Sequence, residues 1–130
     1  MSTKSQKKIN FIIDGEPASK SNSRKIVTFG KRPALIKSEK ARNYEKIFAQ
    51  QCPQLENLID NDVKVELIIY YASRRPDLDE SVVLDCMQGK IYVNDRQVKQ
   101  KIVYWGLDRE RPRTHVRVSA LEICDVPSHF

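Results

Sequence analysis

Val63-Lys64-Val65-Glu66-Leu67-Ile68-Ile69-Tyr70-Tyr71-Ala72 runs without a break into Ser73-Arg74-Arg75-Pro76-Asp77-Leu78-Asp79-Glu80. Val63, Val65, Leu67 and Ile69 fall on one side of the first stretch, Lys64 and Glu66 on the other, which predicts a half-buried strand. The second stretch opens with two arginines and sets Leu78 between two carboxylates. With the chain still extended there, Asp77 and Asp79 point the same way, roughly 6.6 Å apart along the backbone. Carboxylates at that spacing suit a hard, oxygen-seeking cation such as Mg²⁺ or Mn²⁺. Arg74 and Arg75 attract phosphate beside acids that repel it, a pairing that points to metal-assisted chemistry on a phosphodiester. A later acid, Asp95, in Tyr92-Val93-Asn94-Asp95-Arg96-Gln97, joins the candidate set.

Outward from this stretch the pattern alternates strands and helices. Ile9 to Asp14 reads as a strand apolar on both sides, as in a sheet interior. Ile26–Phe29 and Ala34–Ile36, joined by Gly30-Lys31-Arg32-Pro33, read as a small hairpin with a basic tip. Ser38 can cap a helix to about Gln51, whose stripe is Ala41, Tyr44, Phe48 and Cys52 with Ile47 beside it, and Pro53 ends it. Gln54 to Asp62 is a connector with a helical turn expected at Leu55 to Ile59. Asp79 or Ser81 caps a short second helix that buries Val82, Val83, Cys86 and Met87 and stops at Gly89. Val98–Leu107 and Thr114–Ile123 read as two strands, expected to form a hairpin through Asp108–Arg113. The sum is an α+β fold, a single domain with a mixed β-sheet packed by helices on one face. Residues 1–8 are expected to be a flexible N-terminal tail and 9–130 the domain.

Charge is distributed unevenly along the 130 residues. The chain carries 23 Lys+Arg against 17 Asp+Glu, a net +6. Residues 1–50 hold 12 basic and 4 acidic residues, and residues 51–130 hold 11 and 13, so a basic half (+8) precedes the half with the acids (−2). That asymmetry fits a polyanion-binding face beside a metal site. Lys20, Arg24, Lys25, Lys31 and Arg32 are expected to cluster in loops, and with Arg74 and Arg75 they are the candidate phosphate contacts. Cys52, Cys86 and Cys124 lie far apart and form no C-x-x-C pair, which argues against a zinc ribbon or disulfide scaffold and for a reducing, cytoplasmic setting. His115 and His129 are isolated, and four glycines make no phosphate-cradling loop. No apolar run approaches the roughly 18 residues of a membrane span. Taken alone, Asp77 and Asp79 also suit turn and N-cap positions, and Asn94-Asp95 suits an ordinary turn.

Asp77-Leu78-Asp79, then Leu84-Asp85-Cys86-Met87-Gln88-Gly89, then Ile91-Tyr92-Val93-Asn94-Asp95-Arg96-Gln97-Val98 resembles the RusA family of Holliday-junction resolvases. Gly15-Glu16-Pro17-Ala18-Ser19-Lys20 and Ser38-Glu39-Lys40-Ala41-Arg42-Asn43-Tyr44-Glu45 are similar to the family's opening, so the resemblance runs from about residue 9 to 123. It implies that Asp77, Asp79 and Asp95 are catalytic and hold Mg²⁺ or Mn²⁺. It further implies a homodimer that nicks two opposed strands of branched DNA in a bacterial or phage-infected cell. Three positions depart from the family pattern, the mildest being Asn94, which replaces the first Asp of the family's usual Asp-Asp pair and keeps an oxygen ligand. Glu80 stands where the family commonly has Asn, and Val83 falls near the place of a helix lysine that supports catalysis there, with Lys90 or Lys20 as candidate substitutes. These departures keep two alternatives in play: a non-catalytic junction-binding module that retains the fold, and a nuclease acting on flaps or forks.

Overall fold

The computed structural model describes residues 8–18, 24–30 and 32–121. Six strands and two helices follow the chain: β1 (Lys8–Asp14), β2 (Arg24–Phe29), β3 (Arg32–Lys37), α1 (Glu39–Gln51), β4 (Val63–Tyr71), α2 (Ser81–Met87), β5 (Val98–Leu107) and β6 (Arg113–Ala120). A single 3-10 turn, Asp95–Gln97, precedes β5.

Four strands make one mixed sheet in the order β1-β6-β4-β5. β4 is its spine, as strict alternation requires: Val63, Val65, Leu67, Ile69 and Tyr71 are at most 2 % exposed, while the residues between them are half-buried. The first set faces the helices. Tyr44, Phe48 and Cys52 of α1 and Val82, Val83 and Met87 of α2 close over it, together with Ile59, Ile91 and Tyr92. Among the described residues no helix packs on the opposite face of the sheet, and there Ile12, Ile68, Tyr104 and His115 line an open groove of about 600 Å³. The fold is α+β, with a mixed sheet and two helices in one small domain.

The first helix follows its sequence signals closely. Ser38 Oγ accepts the Ala41 N–H at 3.2 Å, supplying one of the bonds a helix start lacks, and the chain leaves the helix at Cys52, before Pro53. The β2–β3 hairpin forms a separate two-stranded sheet, and Lys37 at its end pairs with Glu45 of α1 at 2.8 Å.

Four local expectations are corrected. β5 and β6 do not pair with each other: β5 runs parallel to β4, and β6 inserts antiparallel between β4 and β1. The Asp108–Arg113 segment therefore crosses an end of β4, where the Asp108 N–H donates to the Tyr71 carbonyl at 2.8 Å. β1 is an edge strand; Ile12 is apolar because it belongs to the open groove, where it is 44 % exposed. No helical turn forms over 55–59. That stretch instead donates its N–H groups to the 90–91 backbone, Leu55 to Lys90 and Ile59 to Ile91, both at 2.9 Å. The N-cap position of α2 falls to Glu80, which makes no side-chain cap bond, while Asp79 from one residue earlier accepts the first helical N–H, that of Ser81.

Gly106 is required by packing. A Cβ there would stand 2.6 Å from the ring of Tyr70, its neighbour across the β4–β5 pair. Tyr70 cannot swing away freely, since His115 packs against its ring and the Arg113 guanidinium lies 4.2 Å above it.

Candidate active site

The acid segment leaves β4 at the end of the sheet and turns back over Tyr71. The Tyr71 hydroxyl donates to the Asp77 carbonyl at 3.1 Å and accepts the Asp79 N–H at 3.3 Å. One phenol oxygen therefore fixes both backbone positions of the Asp-Leu-Asp motif. Burial raises the Tyr71 pKa above the ordinary tyrosine range, and the negative charges of Asp79, Glu16 and Glu80 add to that, so the phenol stays protonated and able to donate. Its ring stacks on Trp105 at 5.9 Å between centroids, and the Trp105 indole N–H donates to the Pro76 carbonyl at 3.3 Å.

Around this anchor lie acids of different kinds. Asp77 is exposed, as are Arg74 and Arg75 before it. Asp79 is half-buried, and its Oδ1 accepts the Ser81 N–H at 3.0 Å, which starts α2. Glu80 pairs with Lys101 of β5 at 2.5 Å. Glu16, from the loop after β1, accepts the Ala72 N–H and lies 3.7 Å from Lys40. Glu16 and Lys101 are functional neighbours that sequence spacing does not reveal, because both lie far along the chain from the acids and only the sheet brings them there; Tyr71 is six residues before Asp77 but reads in sequence only as the end of a strand.

Asp95 is supplied by the turn after α2. Its N–H donates to Gln88 Oε1 at 3.0 Å, just past the last residue of α2, whereas Asp79 lies just before the first. The seven-residue helix between them is about 10 Å long. Gln97 holds the turn in place by donating to the Ile59 and Asn61 carbonyls at 2.7 and 2.8 Å. Among the described residues no group of three or more His, Cys, Asp and Glu side chains is placed to share one metal ion. The donor chemistry of Asp77 and Asp79 nevertheless fits a divalent cation, since Mg²⁺ is commonly held by one or two carboxylates together with substrate phosphates.

Of the candidate phosphate contacts, Arg74 and Arg75 flank the acids on the exposed side of this segment. Arg24, Lys25 and Arg32 lie in the paired strands of the β2–β3 hairpin and not in loops, because strand pairing extends to Arg24 and Arg32, and the hairpin leads directly into α1. Lys20 and Lys31 lie outside the described residues. Of the two candidate replacements for a helix lysine, Lys90 donates to the Ala49 carbonyl of α1 at 3.4 Å, and Lys20 lies outside the described residues.

A family model described as Endodeoxyribonuclease RusA matches residues 14–119, from the end of β1 almost to the end of β6. The chain belongs to the RusA endodeoxyribonuclease family. RusA membership implies Holliday-junction resolvase activity, a hydrolytic cut in DNA. A polyanionic substrate accords with the chain's net charge of +6. Among its described residues no helix is long and apolar enough to cross a membrane.

Proposed function

We propose that the chain resolves four-way DNA junctions by divalent-metal-dependent phosphodiester hydrolysis, with Asp77 and Asp79 as the principal metal ligands and Asp95 as the third acid of the site. The observation that carries this reading is the Asp-Leu-Asp segment, held at both aspartates by one buried tyrosine inside a chain of net charge +6. Mg²⁺ or Mn²⁺, when bound, supplies an activated water and neutralises charge at the reacting phosphate. The chain's own part is to hold the acid segment rigid against Tyr71 and Trp105. Arg74 and Arg75, with Lys20, Arg24, Lys25, Lys31 and Arg32, track the DNA backbone, which makes affinity fall steeply with salt.

A homodimer presents two such sites to the two opposed strands of a junction, as two-fold symmetry requires. The helix-free face of the sheet is the surface we assign to the second copy. It exposes Ile12 and Tyr104, and it carries Glu66 and Arg117 side by side at 3.6 Å, a charge pair that a two-fold partner can complement with the same residues. The proposed setting is the cytoplasm of a bacterial or phage-infected cell.

The test is cleavage of a labelled synthetic four-way junction in Mg²⁺, Mn²⁺ or EDTA, beside a matched linear duplex, a flap and a fork. Paired, symmetric nicks that need metal and the junction support the reading, and Asp77→Asn should abolish them while leaving junction binding intact. Full activity in Asp77→Asn would falsify the assignment, and full activity in Asp95→Asn would confine the metal site to the Asp-Leu-Asp pair. Faster nicking of the flap or fork would keep the chemistry and change the substrate. The fully buried Val83, standing near the place of a family lysine, favours a second reading, a module that binds junctions without cutting; binding with no nicks in any divalent ion would establish it.

A further inference from the structure

We infer that Lys101 is the cation that meets the phosphate reacting at Asp77 and Asp79, and that Glu80 holds it in place until DNA arrives; the inference rests on the nuclease reading above. In β5, Lys101 shares a face with Val103 and Trp105, and these three oppose Val65, Leu67 and Ile69 of β4. Those β4 residues are buried beneath the helices, so Lys101 rises on the side of the acid segment and not on the open groove.

Two ties then fix the path of that segment. Trp105 bonds Pro76 and Lys101 bonds Glu80, so a step of four residues along β5 matches a step of four back along the acid segment. The segment therefore runs antiparallel beside β5, and Asp77 and Asp79 lie between the ties. A phosphate approaching Asp77, Asp79 and Glu80 meets three acids within four residues. Lys101 is positioned to offset that repulsion. Its side chain is 49 % exposed although Glu80 is only 19 % exposed, so the ammonium is reachable from solvent. Half-exposed pairs of this kind are weak. A lysine's flexible stem and three donors let it leave a carboxylate for a phosphate oxygen.

Of the other described cations, Arg74 and Arg75 stand exposed just before the acids on the same segment. Lys90 reaches toward α1, Lys40 is beside Glu16, and Arg96 lies in the turn past the far end of α2.

The experiment compares Lys101→Met, Lys101→Arg and Glu80→Gln with the wild type. It measures single-turnover cleavage of a synthetic four-way junction in Mg²⁺ and affinity for the same junction in EDTA. Loss of a group that stabilises developing charge predicts a fall of ~100-fold or more in rate for Lys101→Met. Affinity should change by less than about threefold, since one phosphate contact among many is lost. Lys101→Arg should regain at least about tenfold by keeping the charge, and Glu80→Gln should stay within about tenfold of wild type, because it frees the lysine without removing it. Lys101→Gln gives the same comparison should the methionine variant fail to fold. A Lys101→Met rate within threefold of wild type overturns the inference. So does a Glu80→Gln variant as slow as Lys101→Met, which would make the pair only a tie for the acid segment. A wild type that cuts no DNA overturns the nuclease reading itself, and the role of Lys101 with it.

Discussion

Tyr71 and Asp79 are joined by a hydrogen bond of 3.3 Å from the Asp79 N–H to the phenol oxygen, and the same hydroxyl donates to the carbonyl of Asp77. The tyrosine is the last residue of β4, an interior strand, and is 2 % exposed, so a buried strand of the sheet sets where the motif's backbone lies. Tyr71→Phe keeps the ring and its stacking on Trp105 but removes both bonds. At ~0.5–1.5 kcal/mol net for each, the expected loss of stability is about 1–3 kcal/mol by urea unfolding. Junction cleavage should fall by more than junction binding, because the change loosens the acids and leaves the basic residues in place.

The helix-free sheet face gives a second prediction. Tyr104 is 56 % exposed there, so Tyr104→Asp should leave the fold of the single chain intact by circular dichroism. If a second copy packs on this groove, the buried carboxylate opposes association. Sedimentation should then show a shift from dimer to monomer, with paired nicks becoming single ones. A variant that stays dimeric would place the interface elsewhere.

His115 predicts a loss of stability in mild acid. Burial holds its pKa below the ordinary histidine value, and the neighbouring charges of Arg113 and Arg111 push the same way; Arg113 Nε also donates to His115 Nε2 at 3.0 Å. In the unfolded chain the imidazole takes a proton near pH ~6.5, while in the folded chain it resists until lower pH. The unfolded state therefore binds more protons in that window, and stability falls as pH drops from about 6.5 through the folded value. Urea midpoints measured between pH 7.5 and 5 should show this decline in wild type and a shallower one in His115→Gln.

The thiols of α1 and α2 should be chemically quiet. Burial pushes Cys52 up to about 11, and pushes Cys86 up to about 12 with help from the nearby Glu45 and Asp85 charges. The thiolate is the reactive form, so both should resist iodoacetamide at pH 8 in the native chain and react in urea. Peptide mass mapping distinguishes the two sites, and rapid native alkylation of Cys86 would show that α2 opens readily.

Local signals settled much of this protein from sequence alone. The alternation of Val63 to Tyr71, the Ser38 cap and Pro53 stop around α1, and the apolar Val82, Val83 and Met87 each act within a few residues, so they are legible without the fold. The family register was legible for the same reason, since Asp77-Leu78-Asp79 and Asn94-Asp95 are short motifs. What only the tertiary structure decided is which distant segments meet. β5 and β6 both have strand character, yet a strand's partner depends on which edge of β4 each can reach, and β6 pairs with β4 over eight residues on the side away from β5. That arrangement makes β5 a parallel neighbour of β4 and aims Lys101 and Trp105 at the acid segment. It also brings Glu16 to Ala72 across 56 residues of chain. Pairing geometry is a property of the whole sheet, in which a shift of one residue turns every side chain to the other face, so these contacts could be read only after the sheet had formed.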